Sequence, residues 1–511
     1  MTKLITRIEC IIAICLCSLV SITHASENPT FIQQNTEGVT RTLGIPYAKP
    51  PVNSLRWRAP QTLESTAPIQ NLGHFSDSCA QSHMAALGDN NVDGANTSED
   101  CLYLNVWAPD DALEHPYPVL VWLHGGGFRI GGAAMPLYNA QHLAAQGAVV
   151  VTLNYRLGIL GFFAHPAITE QGKLSGNFGL QDQIAALKFV HQHIAKFGGD
   201  DRNITLVGES AGGSSALYLM ASKEDKKIEE KQATVPLFDK AIVQSGALDL
   251  PEYDRQRMEK IAATFAQQAG LNQENRSVSA QALRALPLSK VLAAEPQARS
   301  DTMPYIDGTG IGRSVYKTFQ DGEQLKVPLI IGSNNYEAGF FDKEFSLRVI
   351  NKMSAKQWQQ TLRYTDGYNR EGKYWDAAQV ATDLFATLGT RQIARAHAAS
   401  NTDTFRYYMR YVPKSKRQQT PGTIHTADVN YLFGNDIESD SRPFSQRLQK
   451  QWIHFAMTGN PSLPEENLDW PNYSVKTERL LIMDNEQNHV GRDPAADRLN
   501  YLESLGSFGI N

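Results

Sequence analysis

Cysteine is scarce: the 511-residue chain has 5, and Cys10, Cys15 and Cys17 all fall in or beside its first apolar run. That leaves Cys79 and Cys101, too few for a disulfide-dense scaffold and, with no clustered histidines beside them, without the spacing of a zinc site. The two read as one disulfide, with a pair of buried free thiols as the alternative; closing that loop in an oxidising compartment is worth about 3 kcal/mol. There is no basic excess either. A formal net charge of −5 argues against nucleic acid and against an anionic membrane surface as partners. Internal repeats, low-complexity tracts and long linkers are also missing, so a solenoid or a bead-like array is excluded, and residues 26–511 read as one domain with large excursions.

A membrane-spanning run is lacking as well. The apolar stretch from Ile11 to Val20 is well short of the ~20 residues a spanning helix needs. It follows Lys3 and Arg7 and precedes Thr23-His24-Ala25, which reads as a secretory signal peptide over residues 1–25 and an exported, periplasmic or secreted protein. No Gly, Ala or Ser immediately precedes any of the three early cysteines, which argues against a lipoprotein anchor.

What the chain does have is apolar material, 42% of its residues, in short continuous runs. Val39 to Ile45 and Leu102 to Trp107 read as antiparallel edge strands. Val119–Leu123, Val149–Leu153, Ile204–Val207, Ala241–Val243 and Leu329–Ile331 suit strands covered on both faces, with later strands expected at Phe405–Val412 and Leu480–Met483. Helical spacing between them, best over Leu180 to Phe197, fits crossovers. The pattern predicts an α/β fold with a central, mostly parallel sheet. Leu248 to Val327 and Phe341 to Ser400 are richer in polar helix formers and read as helical insertions forming a cap or gorge wall, their aromatics belonging to its core.

Gly208-Glu209-Ser210-Ala211-Gly212 follows the run Ile204–Val207 and precedes a helix-like segment from Gly213 to Met220. A serine at the tip of such a strand–turn–helix is held out beyond the strand's end, with glycines letting neighbouring backbone pass close by. Ser210 is therefore the candidate nucleophile, and its weakly nucleophilic hydroxyl requires a base and an acid from elsewhere in the chain. A second glycine cluster, His124-Gly125-Gly126-Gly127-Phe128, follows the strand ending at Leu123. Its bared N–H groups at Gly126 and Gly127, with that of Ala211, make a candidate oxyanion hole, each donor contributing about 3 kcal/mol to a transition state. His124 reads as a structural support for that loop.

The chain resembles the type-B carboxylesterases, the carboxylesterase and cholinesterase family of the α/β-hydrolase fold. The likeness runs along most of its length: Gly44-Ile45-Pro46-Tyr47-Ala48, Glu99-Asp100-Cys101-Leu102-Tyr103-Leu104-Asn105-Val106, Asn154-Tyr155-Arg156-Leu157-Gly158, Gly176-Asn177-Phe178-Gly179-Leu180-Gln181-Asp182, Phe197-Gly198-Gly199-Asp200 and Gln244-Ser245-Gly246. The resemblance implies that Glu337, in Asn335-Tyr336-Glu337-Ala338-Gly339, is the triad acid, and that His425, in Thr423-Ile424-His425-Thr426-Ala427-Asp428, is the general base. The chain order Ser210, Glu337, His425 is the one expected of the fold. Ser245 resembles a family serine that hydrogen-bonds the acid or the base, and Glu209 beside the nucleophile is carried widely in the family.

These implications add up to a serine carboxylesterase that needs no cofactor or metal. Its substrate would be a small-molecule ester of short-to-medium acyl or aryl type, and the protein a monomer or weak homodimer. Cholinesterase-like members place a tryptophan in the loop between the two cysteines, whereas here residues 79–101 contain no Trp, Tyr or Phe, which argues against choline esters. The alternatives are a catalytically silent binding or adhesion module, which would have lost the nucleophile or base, and a lipase or amidase using the same triad.

Overall fold

The structure is a computed structural model that describes residues 31–63, 70–81, 96–168, 176–222, 236–271, 278–295, 302–365 and 373–506. The signal segment 1–25 lies outside the described residues. A sheet of 11 strands runs through the molecule. In chain order these are β1 (Gln33–Thr36), β2 (Val39–Pro46), β3 (Tyr103–Pro109), β4 (Tyr117–Leu123), β5 (Val149–Leu153), β6 (Gly199–Glu209), β7 (Lys240–Gln244), β8 (Leu329–Asn334), β9 (Thr404–Met409), β10 (Arg479–Met483) and β11 (His489–Arg492). Their spatial order is β1-β2-β3-β5-β4-β6-β7-β8-β9-β10-β11. Pairing is parallel from β5 to β10 and antiparallel at both ends, where β1, β2, β3 and β5 meet on one side and β10 and β11 on the other. The chain thus has the α/β fold expected, with one refinement. β2 and β3 lie inside the antiparallel end rather than at its edge, because β1, whose polar Gln33-Gln34-Asn35-Thr36 carries no strand-like alternation of apolar residues, covers them.

The continuous apolar runs have a direct cause. Successive residues of a strand face opposite sides, and both sides here are covered. Val119, Val121 and Leu123 of β4 pack with Val149, Val151 and Leu153 of β5 and Ile204 and Leu206 of β6 on one face. Leu120, Trp122, Val150 and Val207 pack on the other, against Leu448, Trp452 and Phe455 of the helix Arg442–Thr458. Helix α1 (Phe178–His193) lies between β5 and β6, where helical spacing was expected over Leu180 to Phe197, and helix α2 (Ala211–Ala221) lies between β6 and β7, over the helix-like segment from Gly213 to Met220. The two insertions are helical: Arg255–Gln268, with Ser279- and Ser314-capped short helices after it, and Lys343–Ile350, Ala355–Thr361, Lys373–Thr382 and Leu388–Ala399. Cys79 and Cys101 are joined in a disulfide. No described helix is long and apolar enough to cross a membrane.

Candidate active site

The ends of β6, β7 and β8 bring the candidate residues together. β6 stops at Glu209, and Ser210 turns the chain into α2 with φ 54° and ψ −123°, a backbone state that costs a non-glycine residue about 1–3 kcal/mol. The turn holds because its flanks are stripped of side chains. A Cβ on Gly212 would sit 1.9 Å from the carbonyl oxygen of Leu123, and one on Gly208 would sit 2.3 Å from that of Gly212. The N–H of Ser210 donates to the carbonyl of Gln244 at the end of β7 (2.9 Å), which ties the turn to the neighbouring strand.

Residues far apart in the chain then form one line. Oγ of Ser210 lies 2.8 Å from Nε2 of His425, whose Nδ1 donates to Oε2 of Glu337 at 2.7 Å. The other oxygen of Glu337 accepts from the hydroxyl of Ser245 (2.6 Å) and from the N–H of Asn334 at the end of β8 (2.7 Å). Glu337 is fully buried and His425 is 3% exposed, whereas Ser210 keeps 8% of its surface open. All three residues that the sequence singled out for the triad are therefore in hydrogen-bond contact, and Ser245 touches the acid rather than the base.

Glu209, beside Ser210, is buried with Oε1 3.5 Å from Nε2 of His425. Burial raises its carboxyl to about 8; the His425 charge opposes this, and Asp428 and Glu337 add to it. For His425, burial disfavours the imidazolium, but Glu209, Glu337 and Asp428 together outweigh it and lift the imidazole to about 9.

The glycine loop after β4 lies against the same turn: a Cβ on Gly125 would come within 2.8 Å of Oε2 of Glu209. Gly126 has φ 108°, and its carbonyl accepts from Arg129 and Ile130, closing the loop back on itself. Ala211 begins α2, where the first N–H groups of a helix have no partner within it. His124 supports this loop from inside. Nδ1 donates to the Gly125 carbonyl at 2.8 Å, the ring stacks on Tyr155 at 4.3 Å, and burial lowers its pKa to about 4, so it is a neutral strut.

Two groups of site residues escaped the sequence. Asp428, three residues after His425 in the first turn of the helix Ala427–Phe433, accepts from Gln244 Nε2 at 2.7 Å and from Asn334 Nδ2 at 3.2 Å. Phe340, Phe341 and Phe385 stand around His425 with ring centroids 5.8, 5.9 and 5.9 Å away. The insertion aromatics are thus not confined to core, as expected, but wall the imidazole. The position of Phe340 and Phe341 just after Glu337 was the one available hint.

A mostly parallel sheet whose central strand turns at a serine into a helix, with an acid and a histidine arriving after later strands, defines an α/β-hydrolase. The sequence profile of the Carboxylesterase family matches residues 30–502, and the chain belongs to that family. Para-nitrobenzyl esterase of Bacillus subtilis (strain 168) is 33% identical over 90% of this chain and 94% of its own. Fumonisin B1 esterase of Sphingopyxis macrogoltabida is 31% identical over 88% and 84%, and mouse (Mus musculus) cholinesterase is 30% identical over 88% and 81%. A solved structure of PNB esterase superposes with a TM-score of 0.76 at 29% identity, covering 92% of this chain and 97% of the other. The protein is a carboxylic-ester hydrolase.

Proposed function

We propose that the protein is an exported serine esterase working through an acyl-enzyme, with Ser210, His425 and Glu337 as its triad. The observation that carries this reading is the continuous line from Ser210 Oγ through His425 to Glu337, at 2.8 and 2.7 Å. Ser210 Oγ attacks the ester carbonyl while His425 Nε2 takes its proton, and Glu337 holds the imidazole in place and stabilises the imidazolium. The N–H groups of Gly126, Gly127 and Ala211 receive the oxyanion. His425 then gives its proton to the departing alcohol, leaving the acyl group on Ser210. Water, deprotonated by the same nitrogen, attacks the acyl carbon, releases the carboxylic acid and restores the serine.

Short-to-medium acyl or aryl esters are the substrates, a reading supported by the name of the para-nitrobenzyl esterase relative. Residues 26–511 act as one domain, as a monomer or weak dimer, after removal of residues 1–25; the Cys79–Cys101 disulfide supports an oxidising destination. The test is hydrolysis of 4-nitrophenyl esters by the mature protein beside Ser210→Ala, with fluorophosphonate labelling to locate the reactive residue. Turnover and label both lost in Ser210→Ala are expected, with kcat down about 10⁴-fold or more. Turnover that survives the substitution would put the nucleophile elsewhere.

A further inference from the structure

We propose that Gln81, beside the Cys79–Cys101 disulfide, is a positioning residue of this site: its side-chain amide holds the far end of the glycine loop and so sets where the Gly126 and Gly127 N–H groups point. The proposal rests on the serine-esterase reading, in which those groups receive the oxyanion, and it adds what keeps them in place before a substrate arrives.

The loop leaves the end of β4 and turns back on itself. Gly126, Gly127 and Phe128 follow one another with φ of 108°, 61° and 62°, in the left-handed region that a side chain disfavours. Such an arc persists only where its surroundings over-determine it. Its start is fixed to β4 at Leu123. Its middle is held by the buried Phe128 ring, edge-on to Phe162 at 5.4 Å, and by the Gly158 N–H, which donates to the Phe128 carbonyl at 2.8 Å. Its far end is Gly131, with φ 115° and no side chain to pack. A Cβ there would lie 2.5 Å from His124 Nδ1 and 2.9 Å from the Gly125 carbonyl oxygen, so the end of the arc bears directly on its start.

Gln81 supplies the hold at that end. The Gly131 N–H donates to Gln81 Oε1 at 3.0 Å, and Nε2 of the same amide donates to the Gly131 carbonyl at 2.9 Å. Both polar groups of a residue without a side chain are thus gripped by one planar amide. The second Nε2 hydrogen goes to the Cys79 carbonyl at 2.9 Å, which fixes the direction of the Gln81 side chain. The backbone behind it is tied down in turn. Ser78–Cys79 pair with Thr97–Ser98, the Ala80 N–H donates to the Ser98 carbonyl at 2.8 Å, and Cys79 is bonded to Cys101. A shift of Gly131 passes to Gly125, against which it packs, and a Cβ on Gly125 would come 3.2 Å from Cβ of Ser210. Loss of the Gln81 amide therefore moves the N–H donors relative to Ser210, while Glu209, Glu337 and Asp428, whose charges raise His425, stay as they are. Acylation and deacylation both pass through an oxyanion, so misplaced donors slow both steps and leave ground-state binding alone.

The experiment compares the wild type with Gln81→Met, which keeps the length of the side chain and removes its hydrogen bonds, and with Gln81→Ala, which carries the test if the methionine variant does not fold. Rates on 4-nitrophenyl acetate are expressed per active site, counted by fluorophosphonate titration. The expected result is a fall in kcat of about tenfold or more, short of the roughly 10²–10³-fold of a donor removed outright, with KM within about twofold of the wild type. Inhibition by trifluoroacetophenone, whose adduct with Ser210 carries an oxyanion in the same place, weakens by the same factor as kcat/KM. The acid limb of the rate profile stays where it is in the wild type. A merely structural role lowers the fraction of active sites or the melting temperature and leaves these per-site quantities unmoved. An unchanged kcat per site, a lower kcat with inhibitor affinity intact, or an acid limb that moves with kcat overturns the proposal. Failure of the serine-esterase reading looks different: Ser210→Ala would then retain turnover, and trifluoroacetophenone would not inhibit the wild type.

Discussion

Oε1 of Glu209 lies 3.5 Å from Nε2 of His425, the same nitrogen that meets Oγ of Ser210 at 2.8 Å. Because β6 ends at Glu209 and Ser210 is the next residue, the strand delivers a carboxylate and a hydroxyl to one nitrogen. Glu337 faces the other nitrogen at 2.7 Å. The imidazole is thus held between two buried carboxylates. The imidazolium is favoured from both sides, so His425 holds its proton to higher pH than an ordinary histidine, and on the proposed mechanism the same two charges favour the imidazolium that forms during attack.

The pH profile follows from this. Burial opposes the imidazolium, but the carboxylates around it raise His425 to about 9, and as the proposed base it must be neutral to work. kcat/KM on an uncharged ester is therefore expected to climb through the alkaline range and fall as pH drops. Glu209 and His425 titrate together, so the limb belongs to the pair. Glu209→Gln removes the leading attractive charge, and the acid limb moves down toward the ordinary histidine value of about 6.5. Its alkaline plateau drops about tenfold for each unit of that movement, because the imidazolium loses the same stabilisation in the transition state. Rate profiles of the two proteins on 4-nitrophenyl acetate decide it; coincident acid limbs would separate Glu209 from the base.

Much of this arrangement could be read from the chain, for identifiable reasons. Strands β4 to β8 are covered on both faces, so their apolar runs are unbroken, and the elbow at Ser210 needs glycines that stand out in the sequence. Glu337 and His425 came from family likeness alone, since one carboxylate and one imidazole in loops carry no local signature. Asp428 and Phe385 were unreadable because their roles depend on neighbours 184 residues (Gln244) and 40 residues (His425) away in the chain. β1 was missed because an edge strand with a polar composition lacks the alternation by which strands are recognised.

The glycine loop gives a prediction in which two neighbouring substitutions rank differently. A Cβ on Gly126, at φ 108°, would lie 2.1 Å from the Ile130 carbonyl oxygen, so Gly126→Ala must displace the loop and its N–H donors. A Cβ on Gly127 meets nothing within 4 Å, although its φ of 61° strains an alanine by about 1–2 kcal/mol. Loss of one oxyanion donor costs about 10²–10³-fold in kcat. Gly126→Ala is expected to reach that range with KM little changed, and Gly127→Ala to lose stability more than rate. Steady-state kinetics alongside thermal melts measure both, and equal losses in the two variants would leave the loop without a special role for Gly126.

Asp428 joins the supports of Ser210 and Glu337. The Gln244 carbonyl accepts from the Ser210 N–H at 2.9 Å while its side chain donates to one Asp428 oxygen at 2.7 Å. The Asn334 N–H donates to Glu337 at 2.7 Å while its side chain donates to the other Asp428 oxygen at 3.2 Å. Asp428→Ala leaves the buried Gln244 amide without its acceptor, at about 1–3 kcal/mol, and leaves Asn334 Nδ2 only its bond to the Ile424 carbonyl (3.0 Å), which frees the ends of β7 and β8 to shift relative to one another. The expected result is a fall in kcat of about tenfold or more with KM nearly constant, partly rescued by Asp428→Asn, which keeps the volume and one acceptor. Because Asp428 also helps to raise His425, the acid limb moves down in both variants. Fluorophosphonate titration supplies the fraction of active sites. If kcat falls only in proportion to that fraction, and the acid limb stays where it was, Asp428 contributes to folding alone and does not position the triad.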